Sequence, residues 1–180
     1  MKLFSLFSRI FAGLTSLVLV LFVANPAFAS NFYLSSDSAD ITLGDAVVPV
    51  RVVIDTKSES VNGISAFLRY PNDKLEVAWI SYGEAFPIQA AEINENGIIE
   101  ISRGSIEGEV GNVTIATIGF KGISEGEGSI SFTEGSAAPR TVDSTDSLNL
   151  EESVGKKFTI KQSESNIFVI LFQSLLSLLA

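Results

Sequence analysis

Residues 61–83 read VNGISAFLRYPNDKLEVAWISYG. Apolar side chains alternate on either side of a Pro71-Asn72-Asp73 break, which predicts two β-strands joined by a tight turn. In the first strand Ile64, Ala66, Leu68 and Tyr70 share one face. In the second, Leu75, Val77 and Trp79 fall on one side and Ala78, Ile80 and Tyr82 on the other, which predicts a strand covered on both faces at one end. Strict alternation places Trp79 in the core with Ile64, Ala66 and Leu68.

The same texture continues in both directions. Residues 31–35 and 46–55 (AVVPVRVVID) predict strands upstream, the second with Val48, Val50, Val52 and Ile54 on one face. Pro49 has no amide hydrogen, so it predicts a sheet edge or bulge there. Residues 87–93 and 97–103 predict a hairpin, because Asn96-Gly97 supplies the positive φ angles of a tight turn. Residues 113–121 place Ala116, Ile118 and Phe120 together, residues 126–133 pair Ile130 with Phe132, and residues 155–160 close the series. About nine strands with turn signals every 8–12 residues predict an all-β domain, a single β-sandwich or jelly roll over residues 30–161.

The flanks differ in kind. Residues 1–29 have the layout of an export signal. Lys2 and Arg9 are its positive end, LTSLVLVLFV (14–23) is an apolar helix, and Ala27-Phe28-Ala29 is the cleavage pattern. Residues 162–166 form a polar linker, and residues 167–180 (IFVILFQSLLSLLA) an apolar helical tail. Fourteen helical residues span about 21 Å, short of a hydrocarbon core of about 30 Å. A truncated membrane anchor, an interfacial tail and a segment packed on another chain all fit it. The expected location is outside the cytoplasm, in the envelope or beyond it, with membrane attachment through residues 167–180.

Composition narrows the chemistry. The chain carries a net charge of −9, and losing Lys2 and Arg9 with the signal makes it two units more negative. Such a surface repels nucleic-acid phosphates. There is no His and no Cys, so His-based acid–base catalysis, catalytic triads and Cys/His zinc sites are excluded. An exported domain without disulfides must be held by core burial alone, which about 130 residues can supply. Glu92, Glu95, Glu100, Glu107 and Glu109 are the carboxylates from which a glycosidase-type pair could be drawn, and they read as solvated edges and loops. Asp143, Asp146, Asn149 and Glu151 are oxygen-rich but lack the spacing and central glycine of a calcium loop. No catalytic residue, cofactor or metal site is expected. The weak candidates for a ligand-binding platform are Tyr70 and Tyr82, read as better exposed, and Phe86, read as a loop residue next to Pro87.

Asn62-Gly63-Ile64-Ser65-Ala66, then Tyr70-Pro71-Asn72, then Leu75-Glu76-Val77-Ala78 ending at Gly83, resembles a stretch of the cohesin-type modules. In that family a Gly-x-x-Ala strand leads to Tyr-Asp-Pro and then to a Leu-Glu-Val-Val strand. The Asp is missing here, since Pro71 directly follows Tyr70. Gly97 to Ile101, Gly111 to Lys121 and the closing run from Thr141 to Ile160 resemble later family strands in the same order. The likeness covers residues 32–160, in the cohesin and carbohydrate-binding-module superfamily. It implies a flattened jelly roll of about nine strands and a non-catalytic adhesion or scaffold module. The implied partner is a dockerin-type protein, a calcium-loaded helical module.

Three functions remain open: protein docking, carbohydrate binding in polysaccharide binding or breakdown, and a purely structural surface domain. Docking predicts an exposed, mostly polar sheet face with a small apolar centre. Sugar binding predicts coplanar exposed aromatic rings.

Overall fold

The computed structural model describes residues 29–44, 46–163 and 177. The expected signal segment and nearly all of the expected linker and tail lie outside the described residues. Among the described residues ten strands form two sheets: β1 (Asn31–Ser35), β2 (Asp40–Thr42), β3 (Val47–Asp55), β4 (Val61–Arg69), β5 (Leu75–Tyr82), β6 (Ile88–Glu95), β7 (Ile98–Glu109), β8 (Asn112–Gly122), β9 (Gly126–Phe132) and β10 (Lys156–Lys161). A 3-10 turn, Leu150–Glu152, is capped by Asn149. The strand absent from the sequence reading is β2, whose three residues are too few to show a period.

One sheet has the order β1-β3-β8-β5, the other β2-β10-β9-β4-β7-β6. Neighbours pair antiparallel, except β10 with β2. The inner faces make one core. Val50, Val52, Ile54, Ala116, Ile118 and Phe120 come from the first sheet, and Ile64, Ala66, Leu68, Ile99, Ile101, Ile130, Phe158 and Ile160 from the second. Phe32 stacks on Phe132 across the sandwich with ring centres 5.2 Å apart.

Two backbone signals act as expected. Asn96 and Gly97 have φ of 53° and 78°, the paired positive values of a tight hairpin turn, and they join β6 to β7. Pro49 lies just beyond the end of β1, whose last residue, Ser35, pairs with Arg51. Its carbonyl accepts from Ser36 Oγ at 3.0 Å, and the missing amide hydrogen leaves no ladder bond unmade.

The strand at 75–82 departs from the sequence reading. Val77 pairs with Phe120 and Trp79 with Gly119, so Ala78 is a bulge with no partner of its own. The extra residue resets the alternation. Leu75 and Val77 face inward before it, Ile80 and Tyr82 after it, and all four pack on the core. The apolar pattern on both sides records this shift and not a second covering layer. Trp79, expected in the core, is turned to the outer face and is 43% exposed.

Candidate docking faces on the two sheets

Burial reorders the aromatic candidates. Tyr70 is only 9% exposed. It closes the core edge-on to Phe120 and donates to Asn94 Oδ1 at 3.2 Å. Phe86 is 1% exposed, inserted into the core from the loop after β5. Neither offers a ring face to a ligand, and Tyr70 lacks the exposure expected of it. Both follow a strand end, where the chain folds back over the sandwich rim and carries its apolar side chain inward.

Tyr82 is half-buried at the same rim. The Arg103 guanidinium lies 4.3 Å from its ring centre. Arg103 also donates from Nε to the Phe86 carbonyl at 2.7 Å and from its terminal nitrogen to the Pro87 carbonyl at 3.2 Å. This clamp ties β7 to the loop between the sheets. Burial pushes the Tyr82 phenol well above the usual tyrosine range, and the Glu92 carboxylate adds to the shift while Arg103 opposes it. The hydroxyl is buried without a well-formed hydrogen bond. Tyr82 is thus a closure residue of the rim.

The outer face of β4, β7 and β6 is different. In-register rows run Phe67–Glu100–Ile93, Arg69–Ile98–Glu95, Ser65–Ser102–Ala91 and Gly63–Gly104–Ile88. Ile88, Ile93 and Ile98 are 49, 45 and 36% exposed, with Phe67 beside them. Around them lies a hydrogen-bonded polar row: Ser65 Oγ to Ser102 Oγ at 2.9 Å, and Ser102 Oγ to Glu100 Oε1 at 3.0 Å. A shallow groove of about 310 Å³ opens beside it, bordered by Arg69, Lys74, Glu127 and Ser131, where β9 separates from β4 after only two paired residues. A second groove of about 610 Å³ lies across β9 toward β10. The three isoleucines escaped the sequence reading because a hairpin shows which residues alternate but not which face the core covers.

The outer face of β1, β3, β8 and β5 carries Trp79. A Cβ placed on Gly119 would meet indole atoms Cε2, Nε1 and Cδ2 at 2.4, 2.6 and 2.8 Å. Three atoms around the ring fusion at nearly equal distance mean that the indole lies face-on over the glycine, in the space a side chain would take. The glycine opposite the tryptophan is the one sequence signal that could have marked this. Tyr33 lies on the same face, since Phe32 and Leu34 on either side of it point inward. Its hydroxyl donates to Asn112 Oδ1 at 3.2 Å, two strands away on β8, so its ring lies across β3.

Three of the candidate carboxylates bond to near neighbours in sequence. Glu92 accepts from Gln89, Glu100 from Ser102 and Glu109 from Ser105. The acidic loop spends its oxygens locally: Asp146 Oδ1 accepts from the amides of Ala138 and Leu148, and Asn149 caps its turn. Hydrogen bonds from Thr145, with Arg140 beside it, hold the Asp143 carboxyl below its usual range. Among the described residues no three acidic side chains cluster as metal ligands.

Solved structures carry the same architecture. A non-cellulosomal cohesin from the archaeon Archaeoglobus fulgidus matches with a TM-score of 0.61 at 17% identity, over 78% of this chain and 96% of that one. The fold is that of the cohesin modules. The cohesin module of a family 33 glycoside hydrolase from Clostridium perfringens matches at 0.62 and 9% identity, over 76% and 99% of the two chains. The sixth cohesin of Acetivibrio cellulolyticus scaffoldin B, solved with a Cel5 dockerin, matches at 0.58 and 14% identity, over 74% and 99%. No family model and no curated protein matches the sequence. The cohesin-type sandwich is thus recognisable in three dimensions at identities too low to carry individual contacts across.

Proposed function

We propose that residues 30–161 form a non-catalytic docking module that binds a dockerin-type protein through the outer face of β4, β7 and β6. The observation that carries this reading is the exposed Ile88, Ile93 and Ile98 on one sheet face with a polar, hydrogen-bonded surround. Small apolar centres with polar rims are how specific protein interfaces are built. The backbone beneath is fixed by pairing, so little ordering entropy is lost on binding. Cohesins with this fold have been solved in complex with dockerins, which supports the partner class. The export-signal layout of residues 1–29 supports a place outside the cytoplasm, and the apolar run 167–180 supports attachment to a membrane.

The test is calorimetric titration of the protein with calcium-loaded dockerin modules encoded by the source organism. Binding to at least one is expected, with I93D weakening it at least tenfold. Failure of all of them to bind, or an undiminished affinity of I93D, overturns the reading.

A further inference from the structure

We infer that the outer face of the four-stranded sheet is a glycan site that takes an extended, neutral chain of pyranose sugars across Trp79 and Tyr33. The first support is the posture of the rings. One indole face rests on Gly119 and the other is open to solvent, with the residue 43% exposed. Tyr33 is laid across β3 by its bond to Asn112, over Val53, which is outward-facing yet only 5% exposed. Two rings therefore lie along one sheet surface. From the strand spacing and the rise per residue they are roughly 15 Å apart, the reach of a short oligosaccharide.

The second support is what lies between them. Ser35, Arg51, Thr117 and Ser81 stand in one register row across all four strands. Arg51 is held there by Asp37 at 3.2 Å and Ser35 Oγ at 3.4 Å. A pyranose ring has an apolar C–H face that stacks on an aromatic ring and a rim of hydroxyls that needs donors and acceptors. A flat ring, a polar row and a second flat ring answer both needs in sequence.

Charge and shape narrow the ligand. Arg51 and Lys121 are offset by Asp37 and by Glu76, which pairs in register with Lys121, so the face is close to neutral on an acidic protein. That disfavours anionic sugars. The two rings and the polar row follow one another along a single sheet face, which favours an extended chain over a coiled one. A protein partner is favoured less, because the apolar area is one indole with Pro49 in its register row, not a patch several side chains wide.

Trp79 is the chain's only tryptophan, so selectively excited tryptophan emission reports this face alone. The protein is titrated with cellohexaose, mannohexaose and xylohexaose, and run in native gels containing the parent polysaccharides. A saturable emission change with at least one hexaose is expected, with matching gel retardation. W79A should weaken retardation at least tenfold and Y33A several-fold, with thermal melts confirming that both fold. I93D, on the other sheet, should leave sugar binding unchanged, so this inference and the docking proposal stand or fall separately. The inference is overturned if no hexaose gives a saturable change, or if W79A is retarded like the parent. It is also overturned if emission is blue-shifted in the free protein and moves red on truncation after Lys161, because the chain's own tail would then cover the indole.

Discussion

Gly97 occupies the second position of the β6–β7 turn at a φ of 78°, and a Cβ there would sit 2.6 Å from the Tyr70 carbonyl oxygen. Both strain and collision oppose any side chain. G97A should cost about 1–3 kcal/mol, read as a lowered urea midpoint at unchanged slope. Gly119 is a contrasting case. Its missing Cβ is where the indole lies, and the indole has solvent on its far side. G119A should lift the ring at a cost below about 1 kcal/mol, with a red shift in emission. At Tyr82 the buried hydroxyl lacks a well-formed partner, so Y82F should be neutral or stabilising by up to about 1 kcal/mol. The Tyr82 phenol titrates above its unfolded value, so the fold resists its ionisation. That contribution is intact below the unfolded value of about 10 and is lost as pH rises through the folded one. Chemical denaturation from pH 8 to 11 should show a shallower alkaline decline in Y82F than in the parent.

At the scale of elements, β5 is the instructive case. Because Ala78 has no cross-strand partner, deleting it joins Val77 to Trp79 while their partners Phe120 and Gly119 are already adjacent. The shortened strand would keep Val77, Ile80 and Tyr82 inward and Trp79 outward. A deletion in the middle of a strand ordinarily reverses every side chain beyond it. Here it should be tolerated, with emission still red and the melting temperature lowered by only a few degrees. Collapse of the fold on this deletion would show that the bulge itself is required. The sequence records the apolar residues on both sides of β5 but not the break in phase between them. The extra residue becomes visible only once β8 supplies the ruler against which β5 is counted.

For the whole molecule, stability rests on the packed interior, since the chain has no cysteine to cross-link it. β10 joins β2 to β9 and sends Phe158 and Ile160 into the core, each 2% exposed. Truncation after Gly155 removes both side chains and the pairing partner of two strands. It should abolish cooperative unfolding, read by circular dichroism during heating. Truncation after Ser163 spares the sandwich and should leave the melt unchanged. Membrane fractionation of that form against the full chain tests the tail, and equal partition of the two would exclude attachment through residues 167–180.

Local chemistry in the sequence determined the class of fold. Alternation of period two, Gly and Asn at turns, and the absence of any helical period in residues 30–161 require strands, and the order of motifs points to one family of sandwich. Val50, Val52 and Ile54 on β3, Ile64, Ala66 and Leu68 on β4, and Ala116, Ile118 and Phe120 on β8 were legible because alternation is unbroken across those residues, whereas Ile115 enters the core through a register slip that the sequence does not show. What only the tertiary structure decided was which apolar side chains stay outside. Ile88, Ile93 and Ile98 are exposed because no layer covers that side of β6 and β7 among the described residues, a fact about neighbours distant in sequence. Trp79 is exposed because one unpaired residue shifts its phase, and Tyr70 and Phe86 are buried because the chain turns back over the rim. Solvent exposure depends on the whole packed arrangement, so the fold could be read along the chain while the binding faces could not.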